Sequence, residues 1–199
     1  MESELYILNG EQLVTKDTSG KMEPMPHRTN IWKQRNPSQN EMRYYPRIDE
    51  AHDSIVRHGT NPTNYWWSVT DKNGITSYYG KMHDSETVNP NAVLTDYTGN
   101  IAHWCLTETR DINGNTVRYY YSIDYHSGII NNPSTSLGKE IYIDSINYTG
   151  FVDALNNYQR GIYVVEFSRS HDRDDITING NYGFKRVDSK FLCHITVMV

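Results

Sequence analysis

Two cysteines, four phenylalanines and no apolar run long enough to cross a bilayer leave this 199-residue chain without several common routes to stability and function. Cys105 and Cys193 form no CxxC pair and specify neither a disulfide nor a zinc site, so free, half-buried thiols are expected. The missing apolar run excludes a spanning helix. Basic charge is scarce as well: 19 Lys and Arg, scattered among 24 Asp and Glu, give a net charge of -5 and argue against nucleic acid as a partner. Glu2-Ser3-Glu4 is acidic where a secretory leader needs basic charge, so no signal peptide is expected at this start. None of the eight histidines falls in an HExxH, no serine sits in a GxSxG elbow, and no glycine motif would cradle a phosphate. Hydrolase and nucleotide readings therefore find no motif.

Tyrosine is what the chain has in excess. Its 16 tyrosines, several in runs such as Tyr44-Tyr45, Tyr78-Tyr79 and Tyr119-Tyr120-Tyr121, suit a pleated surface that is apolar at its base and wet at its tip. An exposed antiparallel sheet is the plain consequence; a sugar-binding aromatic platform using Trp66, Tyr79 and Tyr119 is the alternative. With 37% hydrophobic residues, a sheet with one packed and one solvated face fits better than strands buried on both sides. A chain of this length buries roughly 70% of the surface its unfolded form exposes, so size does not limit folding.

Two segments carry the strongest local signal. Residues 65–80 and 106–121 each run aromatic and β-branched, turn through Asp71-Lys72-Asn73-Gly74 or Asp111-Ile112-Asn113-Gly114, and run aromatic and β-branched again. That is the pattern of antiparallel strands joined by a tight turn. Two registers are open. A two-residue type I′ loop at Asn73-Gly74 pairs Val69 with Tyr78 and Trp67 with Gly80, whereas a type I turn with Gly74 left-handed puts Asp71 opposite Ile75 and slips the register by one. The second hairpin poses the same choice, with Leu106 facing Tyr121 or Glu108 facing Arg118. The shared Asp can accept from backbone donors two residues on, which suggests one turn type for both.

Elsewhere, residues 5–13 read as a short hairpin around Asn9-Gly10. Residues 16–40 carry Pro24, Pro26 and Pro37 and few aliphatics, an irregular polar stretch expected to wrap a sheet face with Met22, Met25 and Trp32 as anchors. Residues 41–45 and 54–58 read as strands, the first ending at Pro46 or lying on an edge. Residues 139–148 form a strand with a bulge near Ile146, after loops at 83–100 and 131–138. Phe151, Leu155 and Tyr158 at helical spacing, with Thr149 as N-cap and Gly161 just beyond, predict one short helix near 150–160. The last strands are residues 162–168 and 191–199, separated by a polar hairpin over 177–185. The fold class is mainly β: long twisted antiparallel hairpins forming a curved sheet, with that one short helix.

No cluster reads as a centre of chemistry. His171-Asp172-Arg173-Asp174-Asp175 holds enough ligands for a hard cation, but a five-residue polar run is the usual composition of a solvated turn. Asp111-Ile112-Asn113-Gly114-Asn115 lacks the sixth-position glycine and distal glutamate of a calcium loop. Ser134-Thr135-Ser136 resembles the Ser-Thr-Ser of mono-ADP-ribosyltransferases, but the paired Glu-x-Glu they need is missing, since Glu140 is followed by Ile141-Tyr142. No catalytic, cofactor-binding or metal residue is assigned, no cofactor is expected, and no substrate-binding residue is named.

Tyr6-Ile7-Leu8-Asn9-Gly10-Glu11-Gln12-Leu13-Val14, Arg43-Tyr44-Tyr45-Pro46-Arg47-Ile48-Asp49 with Ile55 and Arg57, and Trp67-Ser68-Val69-Thr70-Asp71-Lys72-Asn73-Gly74 through Tyr79-Gly80 carry a family pattern. They resemble the SpvB-like region of bacterial toxins, found in the amino-terminal half of the B component of insecticidal Tc toxin complexes and of the Salmonella plasmid virulence protein. Residues 106–121 look like that family's second hairpin and 143–148 like its next strand. Val165-Glu166-Phe167, Asp172-Arg173, Gly183-Phe184-Lys185 and residues 192–197 resemble its later segments. Residues 16–40 and 149–160 depart from the pattern and look like insertions.

The resemblance implies a single SpvB-like β domain over 1–199, a fragment of a larger protein. Its implied role is non-catalytic: wall material of a shell that RHS/YD-type repeats help to build around a toxic C-terminal segment. Implied partners are those other domains, with self-association through open sheet edges. The implied location is secreted or extracellular as part of the full-length protein, or cytoplasmic before release. In the Salmonella protein the ADP-ribosyltransferase is a separate C-terminal domain, so no catalytic residue carries over.

Overall fold

The computed structural model describes residues 6–16, 40–48, 53–126, 138–181 and 184–199. The anchors expected within 16–40 (Met22, Met25 and Trp32) and the Ser134-Thr135-Ser136 loop lie outside these residues. In chain order the strands are β1 Ile7–Leu8, β2 Glu11–Val14, β3 Glu41–Pro46, β4 Ser54–His58, β5 Trp66–Thr70, β6 Thr76–Tyr79 and β7 Val93–Thr95. There follow β8 Ile101–Trp104, β9 Leu106–Arg110, β10 Asn115–His126, β11 Gly138–Val152, β12 Tyr158–Gln159, β13 Tyr163–Asn179 and β14 Arg186–Met198. One sheet runs β1-β2-β3-β4-β5-β6-β9-β10-β11-β13-β14 with β12 added on β11, while β7 and β8 pair separately. Its pairings are antiparallel except for a parallel bridge between Lys139 and Arg186. Among the described residues the only helical element is the single 3-10 turn Pro90–Ala92. The chain is thus mainly β, as expected, but without the expected helix.

Turn chemistry sets the registers. Asn9 at φ 52 and Gly10 at φ 86 form a two-residue loop, leaving Leu8 opposite Glu11. The Asp-x-Asn-Gly hairpins take the longer turn instead: the Asp71 N–H donates to the Ile75 carbonyl, the Gly74 N–H donates to the Asp71 carbonyl, and Gly74 has φ 82. Trp67 consequently faces Tyr79, and in the second hairpin Glu108 faces Arg118. The aspartate side chain selects this geometry. Asp71 Oδ1 accepts from the N–H groups of Asn73 at 2.8 Å and Ile75 at 2.9 Å. Asp111 Oδ1 accepts from those of Asn113 and Asn115, both at 2.8 Å. Each carboxylate ties its five-residue loop together.

The same turn recurs at Asp96-Tyr97-Thr98-Gly99-Asn100 and at Asp153-Ala154-Leu155-Asn156-Asn157, where Asn156 at φ 65 stands in for glycine. That last turn replaces the expected helix. β11 continues to Val152, Asp153 Oδ1 accepts from the N–H groups of Leu155 and Asn157, and β12 returns to place Gln159 opposite Phe151. Thr149, the expected N-cap, has φ 63 and sits where β10 and β11 slip between the pairs Thr116↔Gly150 and Arg118↔Asn147. Local bonding by Asp153 wins because a helix of about ten residues is marginal without a core to face. Leu155 is in fact 83% exposed.

Strand alternation sends one face of β3–β6 into the core. Leu13, Met42, Tyr44, Ile55 and Trp67 are buried there, with Tyr6, Leu8, Val69, Tyr79 and Trp104 packed around them. The rings meet edge to face, Tyr6 to Trp67 at 4.8 Å, Tyr44 to Trp67 at 5.1 Å and Trp67 to Trp104 at 6.0 Å. Arg57 is buried on the same side, its guanidinium 3.9 Å from the Tyr65 ring and its Nη1 donating to the Tyr44 hydroxyl at 3.3 Å. Trp104 brings in β7 and β8, its Nε1–H donating to the Tyr65 carbonyl at 2.6 Å.

Gly80 lets that small sheet approach. It has φ 79, and a Cβ there would stand 2.6 Å from Trp104 Cδ1 and 3.2 Å from Val93 Cγ1. Gly80→Ala should therefore cost about 2–3 kcal/mol through backbone strain and overpacking. The check is urea unfolding, where the midpoint should fall at constant slope; an unmoved midpoint would mean that Trp104 gives way freely.

β13 and β14 form a long ribbon that twists across β11. Near Ser145 it is β13 that abuts β11, through Glu166, whereas at the ribbon's other end Arg186 of β14 meets Lys139. The polar run 171–175, expected as a turn, lies within β13. It is accommodated by a wide bulge, five steps of β13 between Asp172 and Thr177 matching two of β14 between Lys190 and Asp188.

Candidate functional site

The packed face opens into a cleft of about 430 Å³ between the β1–β2 hairpin and β8, walled by Tyr6, Leu8, Trp67, Tyr79 and Trp104, with Asn9 and His103 as polar groups. Burial holds the His103 imidazole below the usual histidine value. The residues considered for a sugar platform do not form one row. Trp67 is opposite Tyr79, so Trp66 points to the other face, where its ring stacks on His58 at 3.8 Å and 10° with Lys81 Nζ 4.7 Å from it. Tyr79 and Tyr119 share the packed side. Alternation along a strand, invisible in a residue count, separates them.

On the face that carries Trp66, the sheet buries charge. Glu108 is fully buried and the Arg118 side chain is 7% exposed. Arg118 Nε donates to Glu108 Oε2 at 2.9 Å, its Nη2 lies 2.9 Å from Asp84 Oδ1, and its guanidinium is 3.4 Å from the Tyr158 ring. Burial pushes the Glu108 carboxyl above the usual glutamate value, more than Arg118 pulls it down.

Beside this pair, buried Asn147 makes four hydrogen bonds. Its Oδ1 accepts from the Tyr158 hydroxyl at 2.6 Å and the Gly161 N–H at 3.1 Å. Its Nδ2 donates to the carbonyls of Gly161 at 2.9 Å and Tyr163 at 3.1 Å. Gly161, expected to end a helix, instead passes so close to β11 that a Cβ would meet the Tyr148 carbonyl oxygen at 1.9 Å. Nothing in residue types alone marked Asn147; only the pairing of Glu108 with Arg118 was visible, as one of two registers.

Two acids of the 171–175 run, Asp172 and Asp175, are spent on ion pairs along the ribbon. Asp172 meets Lys190 at 2.6 Å, and Arg173 bridges Asp175 at 2.9 Å and Asp188 at 3.2 Å. Lys190 holds the Asp172 carboxyl below the usual aspartate value, and Arg173 does the same for Asp175. Among the described residues no three His, Cys, Asp or Glu side chains converge as a metal site. Neither cysteine is in a disulfide, both are partly buried, and burial pushes the Cys105 thiol up to about 12. Beyond Lys190, β14 is the sheet's last strand and exposes Phe191, Leu192, Ile195 and Val197, so that apolar side chains stand out from both its faces.

The family model described as Salmonella virulence plasmid 65kDa B protein matches residues 2–176. The structure of the N-terminal domain of effector protein SpvB from Salmonella typhimurium strain LT2 matches with a TM-score of 0.69 at 17% identity, over 95% of this chain and 67% of that one. The TcdB2-TccC3 crystal structure matches with a TM-score of 0.66 at 14% identity, over 94% of this chain and 10% of that one. No curated protein matches at a significant level. At such identities the solved structures establish a shared fold, and the chain spans about two thirds of the first and a tenth of the second. With a family match across most of its length, the chain belongs to the SpvB family of Salmonella virulence plasmid 65kDa B proteins.

Proposed function

We propose that the chain is a non-catalytic wall segment of a larger toxin-complex protein: one β domain whose sheet is continued by strands from elsewhere in that protein. Its partners are then RHS-type repeats and a C-terminal toxic segment, and it is exported with them. The observation that carries this reading is β14, the terminal strand of the sheet, whose stretch beyond Lys190 exposes apolar side chains on both faces. An isolated domain seldom leaves such an edge open, because it templates pairing with another strand. The small share of the TcdB2-TccC3 chain that this fold occupies supports the same view.

Sedimentation velocity tests it. The chain should associate increasingly as concentration rises, and Ile195→Lys with Val197→Lys should return it to monomer. A strictly monomeric wild type at every concentration would overturn the edge argument, and NAD hydrolysis above background would overturn the non-catalytic one.

A further inference from the structure

Three strands bring a serine, an imidazole and a carboxylate together on the face of the sheet that carries Trp66. Glu41 on β3 lies directly opposite His58 on β4, and Trp66 on β5 lies directly opposite His58 on its other side. Ser68, two residues beyond Trp66, is therefore the diagonal neighbour of His58 on the same face. His58 Nδ1 is 3.1 Å from Glu41 Oε1, and His58 Nε2 is 2.8 Å from Ser68 Oγ. The Trp66 ring, stacked 3.8 Å from the imidazole, fixes its plane.

The tautomer follows from valence. An ionised carboxylate only accepts, so in the neutral imidazole the proton resides on Nδ1 and the lone pair of Nε2 faces the serine hydroxyl. Nucleophile, base and orienting acid are thus each within hydrogen-bond reach of the next.

We infer that Ser68 is an activated nucleophile that accepts one acyl group from an activated ester, with His58 as base and Glu41 as the group that positions it. Ser68 Oγ attacks the carbonyl carbon, its proton passes to His58 Nε2, and the ester C–O bond breaks. The leaving alkoxide takes that proton, giving an acyl-serine and an alcohol. Turnover stops there. Ser68 lies mid-strand between β4 and β6, with its backbone committed to the ladders, so the turn that would supply an oxyanion hole is missing. This inference stands apart from the wall reading, which one stoichiometric modification does not contradict.

The other groups around the imidazole are Lys81, which opposes its protonation, and Tyr78, which lies opposite Ser68. Burial outweighs Glu41 and holds His58 below the usual histidine value of 6.5. The test is 4-nitrophenyl acetate with the wild-type chain. A burst of one equivalent of nitrophenolate is expected, its rate rising with pH to a plateau with a midpoint below 6.5. Peptide mapping should place the acetyl group on Ser68. Ser68→Ala should abolish the burst, and Glu41→Gln should slow it by about tenfold or more, with circular dichroism unchanged. Acetyl found only on lysines or the amino terminus, or a burst that survives Ser68→Ala, would overturn the inference, and the mapping decides even if a variant fails to fold.

Discussion

Replacing Glu108 with alanine should lower the unfolding free energy by about 3–5 kcal/mol. The loss comes from what stays behind: Arg118 remains buried with only the half-exposed Asp84 and the Tyr158 ring to balance its charge. Glu108→Gln, which keeps the shape and an acceptor, should cost less. The pair Glu108→Met with Arg118→Leu should recover much of the loss, because a buried ion pair contributes little net stability against apolar groups of similar volume. Urea midpoints at neutral pH check all three, and a loss under about 1 kcal/mol for Glu108→Ala would mean that Asp84 alone suffices, as in an exposed pair.

The pair also predicts the direction of a pH effect. Because burial raises the folded-state value of Glu108, the folded state takes up its proton more readily than the unfolded chain. The stabilisation from that preferential protonation, separate from the pairing with Arg118, is therefore fully present below 4.5 and is lost as pH rises through the raised value. Glu108→Gln should abolish that decline. The turn aspartates act oppositely. Donors from Ile75, Asn115 and Asn157 depress Asp71, Asp111 and Asp153, whose contributions are present above 3.8 and are lost as pH falls through the depressed values. Acid titration should thus separate the two groups.

Asn147→Leu should cost about 3–4 kcal/mol, since it strands the Gly161 N–H and carbonyl, the Tyr163 carbonyl and the Tyr158 hydroxyl in a buried site. Tyr158→Phe removes one of these bonds and should cost about 1 kcal/mol. Amide exchange locates the damage: in Asn147→Leu the Gly161 N–H should lose protection before the N–H groups of β4 and β5. Protection equal to wild type at Gly161 would show that the 149–161 excursion is held by other contacts.

The sequence disclosed the hairpins and the mainly β fold because turn residues and alternation act locally. It left the register open because both turns satisfy the same four letters, and the choice was made by where Asp71 and Asp111 place one carboxylate oxygen. The helix expected near 150–160 failed for the same reason. Asp153 and Asn156 spell the motif of the two strong hairpins with asparagine in the glycine position, a spacing as readable as that of Phe151, Leu155 and Tyr158. Asn147, Gly80 and the His58 relay were out of reach, since each depends on which residues face one another across strands, and that is decided by register and packing, not by residue type.

The two margins of the sheet are finished differently. Among the described residues β1 offers two paired residues to a newcomer, whereas β14, its start engaged by β11, offers the longer run beyond Lys190, which makes lengthening vectorial. Two copies meeting β14 to β14 would consume each other's longer margin among the described residues in a twofold, self-complementary contact, so free chains should stop at dimers, and fibres would require a donor strand of different origin.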